Sequence, residues 1–143
     1  MANLIPAIDV SGSALQAERT RLEIVAGNIG NAQTTRGPDG KAYQRKEVVF
    51  ETVANQNGVP AAPGQQIGGV KVAKIVDDPS PGQKLYMPGH PHADAQGFVT
   101  MPNVNVVDEM VDMMTASRSF EANLQVIKTG RDMVNRSIAI AEA

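Results

Sequence analysis

Apolar residues return at every seventh position near the start of the chain, at Ile8, Leu15, Leu22 and Ile29, with Val25 supplying the partner position in the last turn. A repeat of seven holds one stripe on one side of an α-helix, so the spacing predicts a helix from about Ile8 to Ile29 with that stripe inward. Ala14, Ala17 and Ile24 form a second stripe, where small side chains admit a close neighbour. The C-terminal third carries the longer pattern: Met110, Met113, Phe120, Leu124, Ile127, Val134, Ile138 and Ala141 follow in steps of three and four, with Ser117 and Arg131 as polar members. That alternation is the period of a coiled-coil seam. Asn103 and Asn105, after Pro102, offer a helix start. Asp108, Glu109 and Asp112 fall in the first turns and Arg131 and Arg136 near the end, as the helix dipole favours. Gly130 weakens the interior by about 1 kcal/mol relative to Ala.

Between the two helical patterns the chain changes character. Residues 37–103 hold eight of the nine prolines, which rules out a long helix there. Short strands are predicted at Arg45 to Val53, Val70 to Val76, Lys84 to Met87 and Phe98 to Met101. Turn sequences such as Gly37-Pro38-Asp39-Gly40 and Pro79-Ser80-Pro81-Gly82 separate them, and together they predict one small β unit. The stretch 54–69, rich in Gly, Pro, Gln and Ala, is expected to be a flexible loop. The fold class is therefore α+β. Long N- and C-terminal helices pair as a coiled-coil-like core (residues 1–36 and 104–143) around a β-rich middle (37–103).

The two helices differ in length. At about 1.5 Å per residue, a first helix of roughly 22 residues spans about 33 Å and a last helix of roughly 37 spans about 55 Å. Paired side by side, they leave around 20 Å of the longer helix without a partner inside the chain. The expectation is that neighbouring copies or sister subunits bury its apolar stripe. The alternative is a folded-back hairpin whose last turns pack on the β unit.

Composition removes several functions. A formal charge of −2 shows no basic footprint for nucleic acid. Cysteine is absent, so thiolate metal sites, thiol nucleophiles and disulfides are excluded. Three Phe, two Tyr and no Trp support only a modest core. The start MANLIPAIDVSGSALQ has no basic leader or signal-peptide core, and no segment approaches the roughly 18 apolar residues of a membrane span. We expect neither membrane insertion nor a cleaved leader. The string His90-Pro91-His92-Ala93-Asp94 has the spacing of a metal cluster, but these are the only two histidines and position 95 is Ala. A rigid Pro-Gly loop explains it better. With no nucleophile or phosphate motif either, we expect no catalytic residue, cofactor or metal, and no enzyme.

One local pattern asks for a partner. The first helix ends on Asn28-Ile29-Gly30-Asn31 and passes into Thr34. A single Asn suffices to stop a helix, since its amide bonds back to the main chain. We expect one Asn to do so and the other, with Thr34, to bond across a subunit boundary or to the C-terminal helix.

These residues also carry a resemblance. GNIGNAQTT places Asn28, Ile29, Asn31 and Thr34 in the signature of the flagellar basal-body rod proteins. The stretches PDGKAYQRKEVVFE, VDDPSPG and YMPGHPHADAQGFVTMPNVNVVDEMVDMMTASRSFEANLQVIKT resemble the C-type proximal rod proteins in particular. The resemblance implies a structural subunit of the proximal rod, a helical assembly that crosses the periplasm and carries torque from the rotor to hook and filament. It implies passage through the flagellar type III export apparatus without a cleaved leader. The partners implied are other copies of the chain, other rod proteins and the rod adaptor at the inner-membrane ring. Leu15, Leu22, Val25, Ile29, Met110, Met113, Phe120, Leu124, Ile127, Val134 and Ile138 are the expected subunit-packing residues. The rival readings are another axial rod or hook-type protein and a small metal-binding enzyme using His90 and His92.

Overall fold

The computed structural model describes residues 4–54 and 67–141 of the chain. Two long helices frame four short strands: α1 Leu4–Gly30, β1 Lys46–Ala54, β2 Ile67–Asp77, β3 Lys84–Tyr86, β4 Phe98–Thr100 and α2 Val106–Ala141. The α+β class follows directly. Of the predicted flexible stretch, 55–66 lies outside the described residues, while Ala54 ends β1 and Ile67 begins β2.

Helix α1 starts earlier than the apolar repeat predicts because Pro6 falls in its first turn, where a missing N–H leaves no bond unmade. It therefore has 27 residues against 36 in α2, a difference of nine. The excess is about 13 Å rather than 20 Å. Asn105 caps α2: its Oδ1 accepts from the Val107 amide at 3.1 Å, and its Nδ2 donates to Asp108 Oδ2 at 2.7 Å. Asn103, the other candidate start, has a different task. Its Oδ1 accepts from the Arg45 amide at 2.7 Å and its Nδ2 donates to the carbonyls of Asp78 and Ser80, both at 3.1 Å. One side chain thus ties the start of β1, the end of β2 and the approach to α2.

The helices run antiparallel, with Asn28 beside Glu109 at one end and Ile8 against Gly130 at the other. A Cβ on Gly130 would lie 3.1 Å from the Ile8 side chain, so this glycine is the hole that receives Ile8. Along α2 the residues buried beneath α1 are Glu109, Ala116 and Gly130, all on one heptad position, and α1 contributes Ala17 and Val25. Small side chains on the facing lines bring the two backbones close. The larger stripe residues are displaced to the flank.

The strands form two sheets instead of one. β1 and β2 make an antiparallel hairpin from Lys46↔Asp77 to Ala54↔Ile67, with irregularities at Val49/Phe50 and Val53/Ala54. This hairpin lies on α1. Ser13 Oγ accepts from the Val70 amide at 3.0 Å, and a Cβ on Gly69, whose φ is 146°, would sit 2.5 Å from that oxygen. The second sheet, β3 with β4, pairs Lys84↔Thr100 through Tyr86↔Phe98, and the last two rings meet edge-on at 5.3 Å. Val99, 1% exposed, is its only buried residue. A Cβ on Gly82 would fall 1.8 Å from the Met101 carbonyl oxygen, so only glycine lets the 78–83 segment lie against the strand exit.

Candidate functional site: a polar junction beneath the helix pair

Among the described residues the apolar core is thin: Ala17, Val25, Val99 and Ala116 are its buried members. The largest fully buried side chains include two polar ones, Glu109 and Asn28, each 1% exposed. Burying such groups costs several kcal/mol, on the order of 2–7, unless each polar atom finds a partner. Here each one does.

Asn28 sits in the last turn of α1. Its Nδ2 donates to Glu109 Oε2 and to the Lys46 carbonyl, both at 2.9 Å. Its Oδ1 accepts from the Lys46 amide at 3.0 Å and the Tyr43 hydroxyl at 2.9 Å. Two donors and two lone pairs are all the amide has, and all four are used. On α2, the other carboxylate oxygen of Glu109 accepts from Arg45 Nε at 2.5 Å. Arg45 also pairs with Glu47 and stands 3.8 Å from Asp78. Burial opposes the charge on Arg45, but the hydrogen bonds and charges of Glu109 and Glu47 outweigh it and hold the guanidinium above its ordinary value. Burial, followed by the charges of Asp77 and Glu109, raises the Tyr43 phenol above 10.0. A second ion pair, Arg21 to Asp112 at 2.9 Å, ties the same two helices about one turn further along α2.

Asn31 does the local work. Its Nδ2 donates to the Gly27 carbonyl at 2.9 Å and closes the helix. Thr34 donates to Asn31 Oδ1 at 3.2 Å, so it joins the helix stop and does not partner Asn28, contrary to the expected grouping. Asn28 is the amide that reaches the C-terminal helix. Ile29 is half-buried beside it. Tyr43, Arg45 and Glu109 escaped the sequence reading. Glu109 was legible as an acid in a first helical turn, but nothing in the chain's spacing marks it as the acid that faces α1.

The expected packing residues divide by exposure. Val25 is buried, and Leu15, Leu22, Ile29, Met113, Phe120 and Ile127 are half-buried. Met110 (54%), Leu124 (37%), Val134 (36%) and Ile138 (51%) remain exposed in the single chain. Oε2 of Glu18 is a buried oxygen without a hydrogen-bond partner among the described residues.

The His-x-His-x-Asp string shapes a loop. His90 Nδ1 accepts from the His92 amide at 3.1 Å, and His92 Nδ1 meets Thr35 Oγ1 at 2.9 Å. Asp94 Oδ1 accepts from the amides of Gln96 and Phe98, both at 2.9 Å. Among the described residues no three His, Asp or Glu side chains gather as metal ligands, and no helix is long and apolar enough to cross a membrane.

Residues 8–38 match the family described as flagella basal body rod protein, and residues 95–140 match the C-terminal region of the flagellar basal body rod FlgEFG proteins. The chain is 44% identical to the flagellar basal-body rod protein FlgC of Yersinia enterocolitica over 140 residues, covering 98% of this chain and 99% of the relative. It is 45% identical to FlgC of Salmonella typhimurium over 139 residues (97% and 98%), and 40% identical to FlgC of Borreliella burgdorferi over 149 (97% and 98%). These matches run through both helices and the strands between them.

Proposed function

Since the chain belongs to the FlgC family of flagellar basal-body rod proteins, we propose that it builds the proximal rod by packing its α1–α2 pair against neighbouring copies and sister rod subunits. It is a structural subunit of the flagellar basal body and not an enzyme. The rod crosses the periplasm and carries torque toward hook and filament. The chain reaches it through the flagellar type III export apparatus and meets the rod adaptor at the inner-membrane ring. Its domains for this purpose are the helical segments 1–36 and 104–143 and the strand-bearing middle 37–103.

The observation that carries this reading is full-length similarity combined with an incomplete interior. Met110, Leu124, Val134 and Ile138 are at least 36% exposed on a helix whose facing line is already filled by small and polar residues. A chain that buries so little large apolar surface alone gains its remaining burial from neighbours. Torque then passes through contacts, because close-packed side chains have low compressibility. The polar junction serves the same end by fastening β1 to both helices in one register.

Leu124→Asp places a carboxylate on the exposed flank of α2. We expect normal synthesis, no complete rods in isolated basal bodies and loss of motility. Full motility in that strain would remove the flank from the interface.

A further inference from the structure

The β3–β4 sheet stands apart from the helix pair. Among the described residues neither helix nor the β1–β2 hairpin packs on it, and loops such as the one joined by Thr35 and His92 hold it in place. Where those loops part they leave an open cleft of about 580 Å³. One wall is the 35–44 segment, the floor is Pro79-Ser80-Pro81-Gly82, and the other wall is 91–94 with the outer edge of β4. That volume falls in the range of clefts that take small ligands. Two prolines stiffen the floor.

The edge of β4 offers main-chain groups to this cleft. Met87 donates to the Gly97 carbonyl at 2.8 Å and Met101 to the Gln83 carbonyl at 2.7 Å, so the bonded pair between them is Leu85↔Val99. Bonded and non-bonded pairs alternate in an antiparallel ladder, and the N–H and C=O of Phe98 and Thr100 therefore point away from β3. Phe98 uses both on Asp94: its carbonyl accepts from the Asp94 amide at 2.8 Å and its amide donates to Asp94 Oδ1 at 2.9 Å. Among the described residues the same two groups of Thr100 have no partner, and Thr100 lines the cleft. An unpaired strand edge pairs with an extended chain.

Charge narrows the choice of chain. Arg36 and Lys41 are the cations of the lining, and among the described residues neither is in an ion pair. Asp94 is its one acid, and its Oδ1 is already held by the Gln96 and Phe98 amides. The strands of this chain do not supply a matching acid. Glu47 pairs with Arg45, Glu51 with Lys71, and Asp77 stands opposite Lys46.

Resting on the rod assignment, we propose that the cleft receives an extended, carboxylate-bearing segment of another rod protein. The segment bonds to the Thr100 main chain and sets its acids toward Arg36 and Lys41. This contact is made by the middle of the chain and is separate from the packing of the terminal helices.

The test uses the full-length chain and a fluorescein-labelled, amidated peptide, Thr-Glu-Val-Glu-Thr, read by fluorescence polarisation. It should bind severalfold more tightly than Thr-Lys-Val-Lys-Thr, and Arg36→Glu with Lys41→Glu should reverse that order. Thr100→Pro removes the outward amide and spares the β3 ladder, since an edge strand tolerates proline where its N–H faces outward. It should weaken binding severalfold with unchanged circular dichroism. N-methylation of the peptide at Val or at both Glu tests the same pairing from the ligand side, and one of the two should abolish binding. No binding, equal affinity for the two peptides, an order unmoved by the paired substitutions, or binding that survives both N-methylations overturns the docking. A photo-crosslinking benzoylphenylalanine in place of Gln44 is then irradiated in isolated basal bodies. Cross-links to an acidic segment of another rod protein support the docking, whereas cross-links only to copies of this chain, or none, overturn it and leave the rod assignment standing. A deletion strain that still builds complete rods removes the rod assignment itself.

Discussion

Asn28 and Asn31 are the same residue type three positions apart, yet the physics assigns them unequal weight. Asn31 makes a local bond to Gly27 at the surface end of the helix. Removing it as Asn31→Ala costs about 1 kcal/mol, the net worth of an ordinary hydrogen bond. Asn28→Ala strands the Lys46 amide and the Tyr43 hydroxyl and leaves Glu109 one donor short, at a cost of at least ~2 kcal/mol. Urea denaturation of the two variants should give that order, and equal losses would reduce the junction to a helix stop. Arg45→Met goes further, because it leaves the buried Glu109 carboxylate without its cation, with an expected loss of about 3 kcal/mol. The double variant Arg45→Met with Glu109→Leu should recover much of it. Two carboxylates contribute to the acid limb. The hydroxyl and then the amide of Ser80 hold Asp78 below its ordinary 3.8, and the Phe98 amide leads the same effect at Asp94. A carboxyl lowered in the folded state stabilises above its unfolded value, and that contribution is lost as pH falls through the folded value. Unfolding free energies measured from pH 5 downward should therefore fall below about pH 4, with a shallower slope for Asp78→Asn.

At the scale of elements, glycines decide where pieces meet. Gly82→Ala drives a methyl into the Met101 carbonyl, a backbone atom that cannot swing away. That substitution should detach the 78–83 segment, seen as faster amide exchange in β3 and β4, at a cost of about 2 kcal/mol or more. Gly130→Ala meets only the flexible end of Ile8, and its gain of about 1 kcal/mol in helix propensity nearly cancels the small displacement. Gly130→Leu should separate the helices there and lower the melting temperature. The periods of seven and of three and four marked both helices, and the turn residues marked all four strands to within a few positions. The division into two sheets was not legible. It depends on Gly69 allowing β2 to close on Ser13 of α1 and on Asn103 holding the strand ends together, contacts between residues far apart in sequence.

For the whole molecule, the balance between inner and outer surface matters most. The coiled-coil period marked a seam on α2, and the line of α2 that faces α1 is Glu109, Ala116 and Gly130, with the stripe lying partly beside it. Two helices packed through small residues leave their larger side chains on a flank, available to further helices. An assembly built this way draws stability from its neighbours. The isolated chain should therefore melt with low cooperativity, and circular dichroism at rising concentration should show helix content increasing as copies associate. Constant helicity over that range would argue for a self-sufficient monomer.

Sequence alone determined the helix periods, the broken middle and the family signature, because each is local or compositional and survives without knowledge of neighbours. Only the tertiary structure decided which asparagine is buried, that Glu109 and not a stripe methionine faces α1, that Arg45 supplies its charge, and how far α2 outruns its partner. Those facts depend on the rotation and separation of two helices, and that geometry was set by small residues at Ala17, Ala116 and Gly130, whose influence lies in the space they leave for others.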